Sequence, residues 1–121
     1  VRRSLRRGGE GPAAELNALV GAWPGVRVVP MFGRWAYLAG GELFGCFPLR
    51  ARDRDLWIRL GPSAQARALA VPGVRPHRRF GRRGWIEYDV TGPREVRLAA
   101  RWLRQAYESL PGREATGPPG G

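Results

Sequence analysis

The chain has 121 residues, a length that supports one domain with a single hydrophobic core, and 43% of its residues are apolar. Its one cysteine, Cys46, excludes an internal disulfide and cannot alone make a zinc site, and no apolar run approaches the roughly 20 residues of a membrane-spanning helix. The net charge of +11 comes from 21 arginines with no lysine against 10 acids, a balance that suits a polyanionic partner and equally the codon bias of a GC-rich gene. Residues 1–11 and 111–121 are Arg/Gly-rich and Pro/Gly-rich and read as disordered tails around a domain over 12–110. The Arg-rich start lacks the apolar stretch of a signal peptide, so the expected location is cytoplasmic.

In chain order, Pro12 suits a first helical turn, and Leu16, Leu19, Val20 and Trp23 follow at helical spacing until Pro24-Gly25. Val26 to Phe32 reads as a strand ending at Gly33, and the segments 35–38 and 43–47 flank Gly40-Gly41, a hairpin signal. Leu56, Ile58 and Leu60 alternate with Trp57 and Arg59, as in a strand with one face toward the core. Ser63 is placed to cap a short helix through Leu69, stopped by Pro72-Gly73. Glycines flank an Arg pair in Phe80 to Trp85, a second hairpin signal, and Ile86, Tyr88 and Val90 alternate with Glu87 and Asp89. In the last helix Val96, Ala99, Leu103, Ala106 and Leu110 form one stripe, with Trp102 and Tyr107 on its flanks. Arg94, Arg97, Arg101, Arg104 and Glu108 occupy the opposite face. The resulting expectation is an α+β fold with an antiparallel sheet of about five strands flanked by helices, in the order α-β-β-β-α-β-β-α.

The run Met31-Phe32-Gly33, followed by Gly41 and Phe44-Gly45, resembles the signature of the TfoX N-terminal domain family, which includes the TfoX/Sxy competence regulators. Pro72-Gly73 resembles that family's turn after its short helix, and Glu87-Tyr88 resembles a hairpin strand of one branch. Arg34 and Ala36 stand where many of those proteins have glycine, and His77 where an aromatic is usual. The resemblance implies an α+β, stand-alone regulatory domain and no known reaction.

The residues themselves offer little for catalysis. His77 lies among Arg75, Arg78 and Arg79, where positive neighbours disfavour its protonation, and it reads as exposed or phosphate-contacting. Cys46 sits in an apolar strand and reads as a buried, inert thiol. Glu87 and Asp89 project from one strand face roughly 7 Å apart and are expected to pair with Arg across the hairpin. The expectation is a non-enzyme with no metal and no cofactor.

Binding is the better supported use. Arg75, Arg78, Arg79, Arg82 and Arg83 concentrate five cations in nine residues, and the adjacent rings of Phe80 and Trp85 suit stacking on a base. Nucleic acid is therefore one expected partner. The alternative is another protein or a second copy of this chain, engaged through exposed aromatics such as Trp35, Tyr37 and Trp57. The state is expected to be monomer or homodimer, and no membrane partner is expected.

Overall fold

Helix α1 (Pro12–Gly21) begins where Pro12, at the first helical position, has no backbone hydrogen bond to lose. A computed structural model describes residues 9 and 11–110; the tails expected at 1–11 and 111–121 lie almost wholly outside the described residues. Four strands follow α1: β1 (Val26–Met31), β2 (Arg34–Ala39), β3 (Glu42–Pro48) and β4 (Asp55–Arg59). Then come α2 (Pro62–Leu69), β5 (Val74–Pro76), β6 (Trp85–Asp89) and α3 (Pro93–Glu108). Every pairing is antiparallel, and the spatial order is β1-β2-β3-β4-β6-β5.

The α+β architecture is as expected, with six strands rather than about five. Two tight turns cut the segment from Val26 to Pro48 into three strands, and Asp55–Arg59 adds a fourth before α2. Ser63 does not cap α2. Gly61 holds the cap position, and the Ser63 hydroxyl accepts a hydrogen bond from Arg67 Nη1 at 2.8 Å.

One face of the sheet carries the helices. Leu16 and Val20 of α1, Ala68 of α2, and Val96, Ala99, Leu103 and Ala106 of α3 join Tyr37, Phe44, Leu56, Ile58 and Ile86 in a single core. The register of β2 against β3 shifts between Tyr37 and Leu38: Tyr37 faces Gly45 while Leu38 faces Leu43. Phe44 is the extra residue of this bulge and turns its ring to the core, 5.8 Å from that of Tyr107. A Cβ on Gly45 would come within 2.6 Å of Leu103 Cδ2. Bulge and glycine together let α3 settle on β3.

On the other face, which no helix covers among the described residues, register aligns Ala36, Cys46, Trp57, Glu87 and Arg75 across five strands. The antiparallel order also fixes which loops share an end. The β1–β2 turn and the β3–β4 loop lie at one end of the sheet, and the β5–β6 loop lies at the other, on the opposite edge.

Gly45→Ala is expected to destabilise the fold by about 1–3 kcal/mol in urea unfolding, because the methyl overpacks the β3–α3 contact. The same change at Gly40, where nothing lies within 4 Å, carries only the cost of its positive φ. An unchanged midpoint for Gly45→Ala would show that the contact yields freely.

Candidate functional site

Between β5 and β6 the chain runs through residues 77–84 and closes with a single 3-10 turn at Gly81–Arg83. Backbone hydrogen bonds fasten it on several sides. His77 N–H donates to the Trp85 carbonyl at 3.0 Å, Gly81 N–H to the His77 carbonyl at 2.9 Å, and Leu60 N–H to the Gly84 carbonyl at 2.9 Å. The Gln65 side-chain amide of α2 donates to the Gly81 carbonyl at 2.8 Å. Gly84 has φ 98°, and a Cβ there would collide with the Leu60 carbonyl oxygen, so the position requires glycine twice over.

His77 braces the loop from inside. Its ring is only 7% exposed, edge-on to Trp57 at 4.3 Å and stacked on Phe80 at 5.0 Å. Nδ1 accepts the backbone N–H groups of Arg79 at 3.0 Å and Phe80 at 3.1 Å. An accepting Nδ1 carries no proton, so the proton of the neutral ring sits on Nε2. That atom is 3.8 Å from Glu87 Oε2 and has no hydrogen-bond partner among the described residues. Burial lowers the His77 pKa; Glu87 opposes this, and Arg34, Arg79 and Arg78 reinforce it. The expectation of an exposed or phosphate-contacting histidine is thus corrected: the ring is buried because its acceptor nitrogen satisfies two loop amides.

The loop presents Arg78, Arg79, Arg82 and Arg83 as exposed side chains. Among the described residues none of the four is in an ion pair. Arg78, Arg79 and Arg82 line a hollow of about 570 Å³ together with Gln65, Leu69 and His77. Arg75 stands apart from this group. Its Nη2 lies 3.1 Å from both Glu87 Oε1 and Asp89 Oδ1, so its charge is met within the molecule. This is the pairing expected for the two acids. Phe80 has one face taken by His77, and Trp85 is a half-buried β6 residue opposite Arg59.

A second constellation, whose members are distant in sequence, lies on the open face. The Arg34 guanidinium stacks over Trp57 at 3.8 Å and donates through Nε to Cys46 Sγ at 3.2 Å. It also donates through Nη1 to Asp55 Oδ2 at 3.4 Å and through Nη2 to the carbonyls of Cys46 and Asp55. One side chain therefore ties β2, β3 and β4. Cys46 is buried, and burial pushes its thiol pKa up against the pull of Arg34. The aromatics expected to be exposed are not: Trp35 and Tyr37 are buried and Trp57 lies beneath Arg34. Arg34 and Asp55 are 21 residues apart, and no local periodicity or turn signal in the sequence links them.

A model of the Luciferase domain family matches residues 44–106, just over half of the chain. No curated protein shows significant similarity to it. The match overturns the expected membership of the TfoX N-terminal domain family, and with it the competence-regulator reading. The residues that carried that resemblance serve local geometry. Phe32-Gly33 and Gly41 form turns with positive φ, Phe44-Gly45 the bulge, and Gly73 a left-handed turn after Pro72. Met31 closes β1, and Glu87 and Tyr88 are ordinary β6 positions.

Because the folded pKa of His77 lies below its unfolded value of 6.5, the unfolded chain takes up the proton first as pH falls. Stability is full above pH ~6.5 and declines from there down to the folded pKa, with a slope of at most about 1.4 kcal/mol per pH unit. Urea unfolding across this window should show the decline in the wild type and not in His77→Asn. Equal slopes would contradict the assignment.

Proposed function

The chain belongs to the Luciferase domain family, and from that premise we propose that it is a non-catalytic binding domain for phosphate-bearing polyanions, nucleic acid foremost. The observation that carries this reading is the loop of residues 77–84: four exposed arginines without acidic partners among the described residues, on a backbone pinned by His77, Gln65 and Gly84. Guanidinium forks match phosphate oxygens in two-point contacts, and a pinned loop loses little entropy on binding. Arg75 is left out of the contact set because Glu87 and Asp89 hold it.

The family is named for an enzyme, whereas the groups that catalysis draws on are occupied here. The Cys46 thiol is buried and its pKa raised, which disfavours the nucleophilic thiolate. The acceptor nitrogen of His77 is held by two amides, and Glu87 is paired with Arg75. These facts support binding over chemistry.

Fluorescence anisotropy with a labelled DNA duplex across a salt series tests the proposal. Affinity should fall steeply with salt, by about 0.9 in log–log slope for each phosphate contacted. Changing Arg78, Arg79, Arg82 and Arg83 together to Ala should flatten the slope by roughly 3 to 4. A salt-independent affinity, or an unchanged slope in the variant, contradicts it.

A further inference from the structure

The opposite end of the sheet carries a different surface. The β1–β2 turn consists of Phe32 and Gly33, both at positive φ (57° and 74°), as a two-residue hairpin loop requires. Asn or Gly suits that first position, and a bulky aromatic there is a conformational outlier. Packing does not explain the choice, because Phe32 is 83% exposed. The Leu49 N–H donates to the Gly33 carbonyl at 3.1 Å, which joins the β3–β4 loop to this turn and brings Leu49, itself 39% exposed, alongside. Among the described residues, two of the three exposed large hydrophobic side chains therefore share one corner.

The same corner is cationic. Arg50 and Arg52 are exposed and Arg54 is half-buried, and none of the three is in an ion pair among the described residues. Asp53 is the one acid among them, since the Asp55 carboxylate is held by Arg34 and Trp57. A hollow of about 430 Å³, walled by Pro30, Trp35, Phe47 and Pro48, also has Arg50 and Arg54 in its lining. An apolar tip inside an arginine collar is the pattern by which loops enter the interface of an anionic bilayer. Two loop tips are too small for the roughly 800 Å² per partner of a standard protein interface, whereas insertion of one ring and anion contacts needs no more.

We propose that the Phe32-Gly33 turn and the Leu49 to Arg54 loop dock on an anionic lipid surface, with Phe32 inserted among the acyl chains and Arg50, Arg52 and Arg54 at the headgroups. This goes beyond the expectation of no membrane partner, which rested on the lack of a spanning segment. No helix among the described residues is long and apolar enough to cross a membrane, and peripheral docking requires none.

Sedimentation with phosphatidylcholine vesicles, with and without about one-third phosphatidylglycerol, tests the proposal. The wild type should pellet with the anionic vesicles and not with phosphatidylcholine alone. Phe32→Asn should lower the partition by roughly tenfold or more, yet melt no lower than wild type, because Asn accepts the left-handed backbone. Phe32→Gly provides the same control, and Arg50→Ala with Arg52→Ala should weaken partition without change in melting. The four-arginine loop variant keeps the Phe32 dependence, and Phe32→Asn keeps its affinity for DNA, so failure here is distinguishable from failure of the polyanion reading. Absence of wild-type binding, equal binding to both vesicle types, or Phe32→Asn binding as wild type overturns the proposal. A protein partner for this corner would give the first of these results.

Discussion

Two hydrogen bonds to one imidazole nitrogen hold the arginine loop of this molecule together. His77 Nδ1 takes the amides of Arg79 and Phe80, and without it those donors would be left without their partner beneath a loop whose arginines are exposed. An unsatisfied buried donor costs about 1–3 kcal/mol, a large share of what a domain of this size has in hand. The ring is itself held by Trp57 and Phe80, so the core side of the loop is aromatic while its outer side is cationic. The like charges of the four arginines are tolerated because their side chains are exposed, where water and salt screen the repulsion.

The fold separates its surfaces by a simple rule of direction. In an antiparallel sheet consecutive loops alternate ends, and the order β1-β2-β3-β4-β6-β5 sends the β1–β2 turn and the β5–β6 loop to opposite corners. Burial on the helix side is complete enough that Tyr37, Phe44, Leu56 and Ile86 have essentially no exposure. On the uncovered side the Arg34 clamp across β2, β3 and β4 substitutes polar contacts for a second layer. The two corners can therefore differ in chemistry without disturbing one another.

Much of this was legible in the sequence. The stripe from Val96 to Leu110, the alternation of Leu56, Ile58 and Leu60, and the Gly40-Gly41 turn each follow from local periodicity and turn chemistry, and they found their places. What escaped depends on contacts distant in sequence or on closure of a loop. Arg34 meets Asp55 only because β3 brings β2 and β4 together. His77 becomes an acceptor only after the chain curls back over it, and β5 is a three-residue strand containing a proline. Phe32 read as the apolar end of a strand, since nothing in Met-Phe-Gly announces a left-handed aromatic. The resemblance to TfoX N-terminal domains misled for a related reason. Glycines at tight turns, a small residue at a bulge and a tyrosine on a core-facing strand are what many antiparallel sheets demand, so their recurrence reports geometry more than descent.

The protonation state of the His77 ring decides whether the arginine loop is braced from inside. A long-range proton–nitrogen correlation spectrum of the full chain near neutral pH reads it directly. The structure requires a neutral imidazole protonated at Nε2, with Nδ1 unprotonated and accepting. A ring protonated at Nδ1, or an imidazolium under those conditions, would mean that the arginine loop is not braced as described.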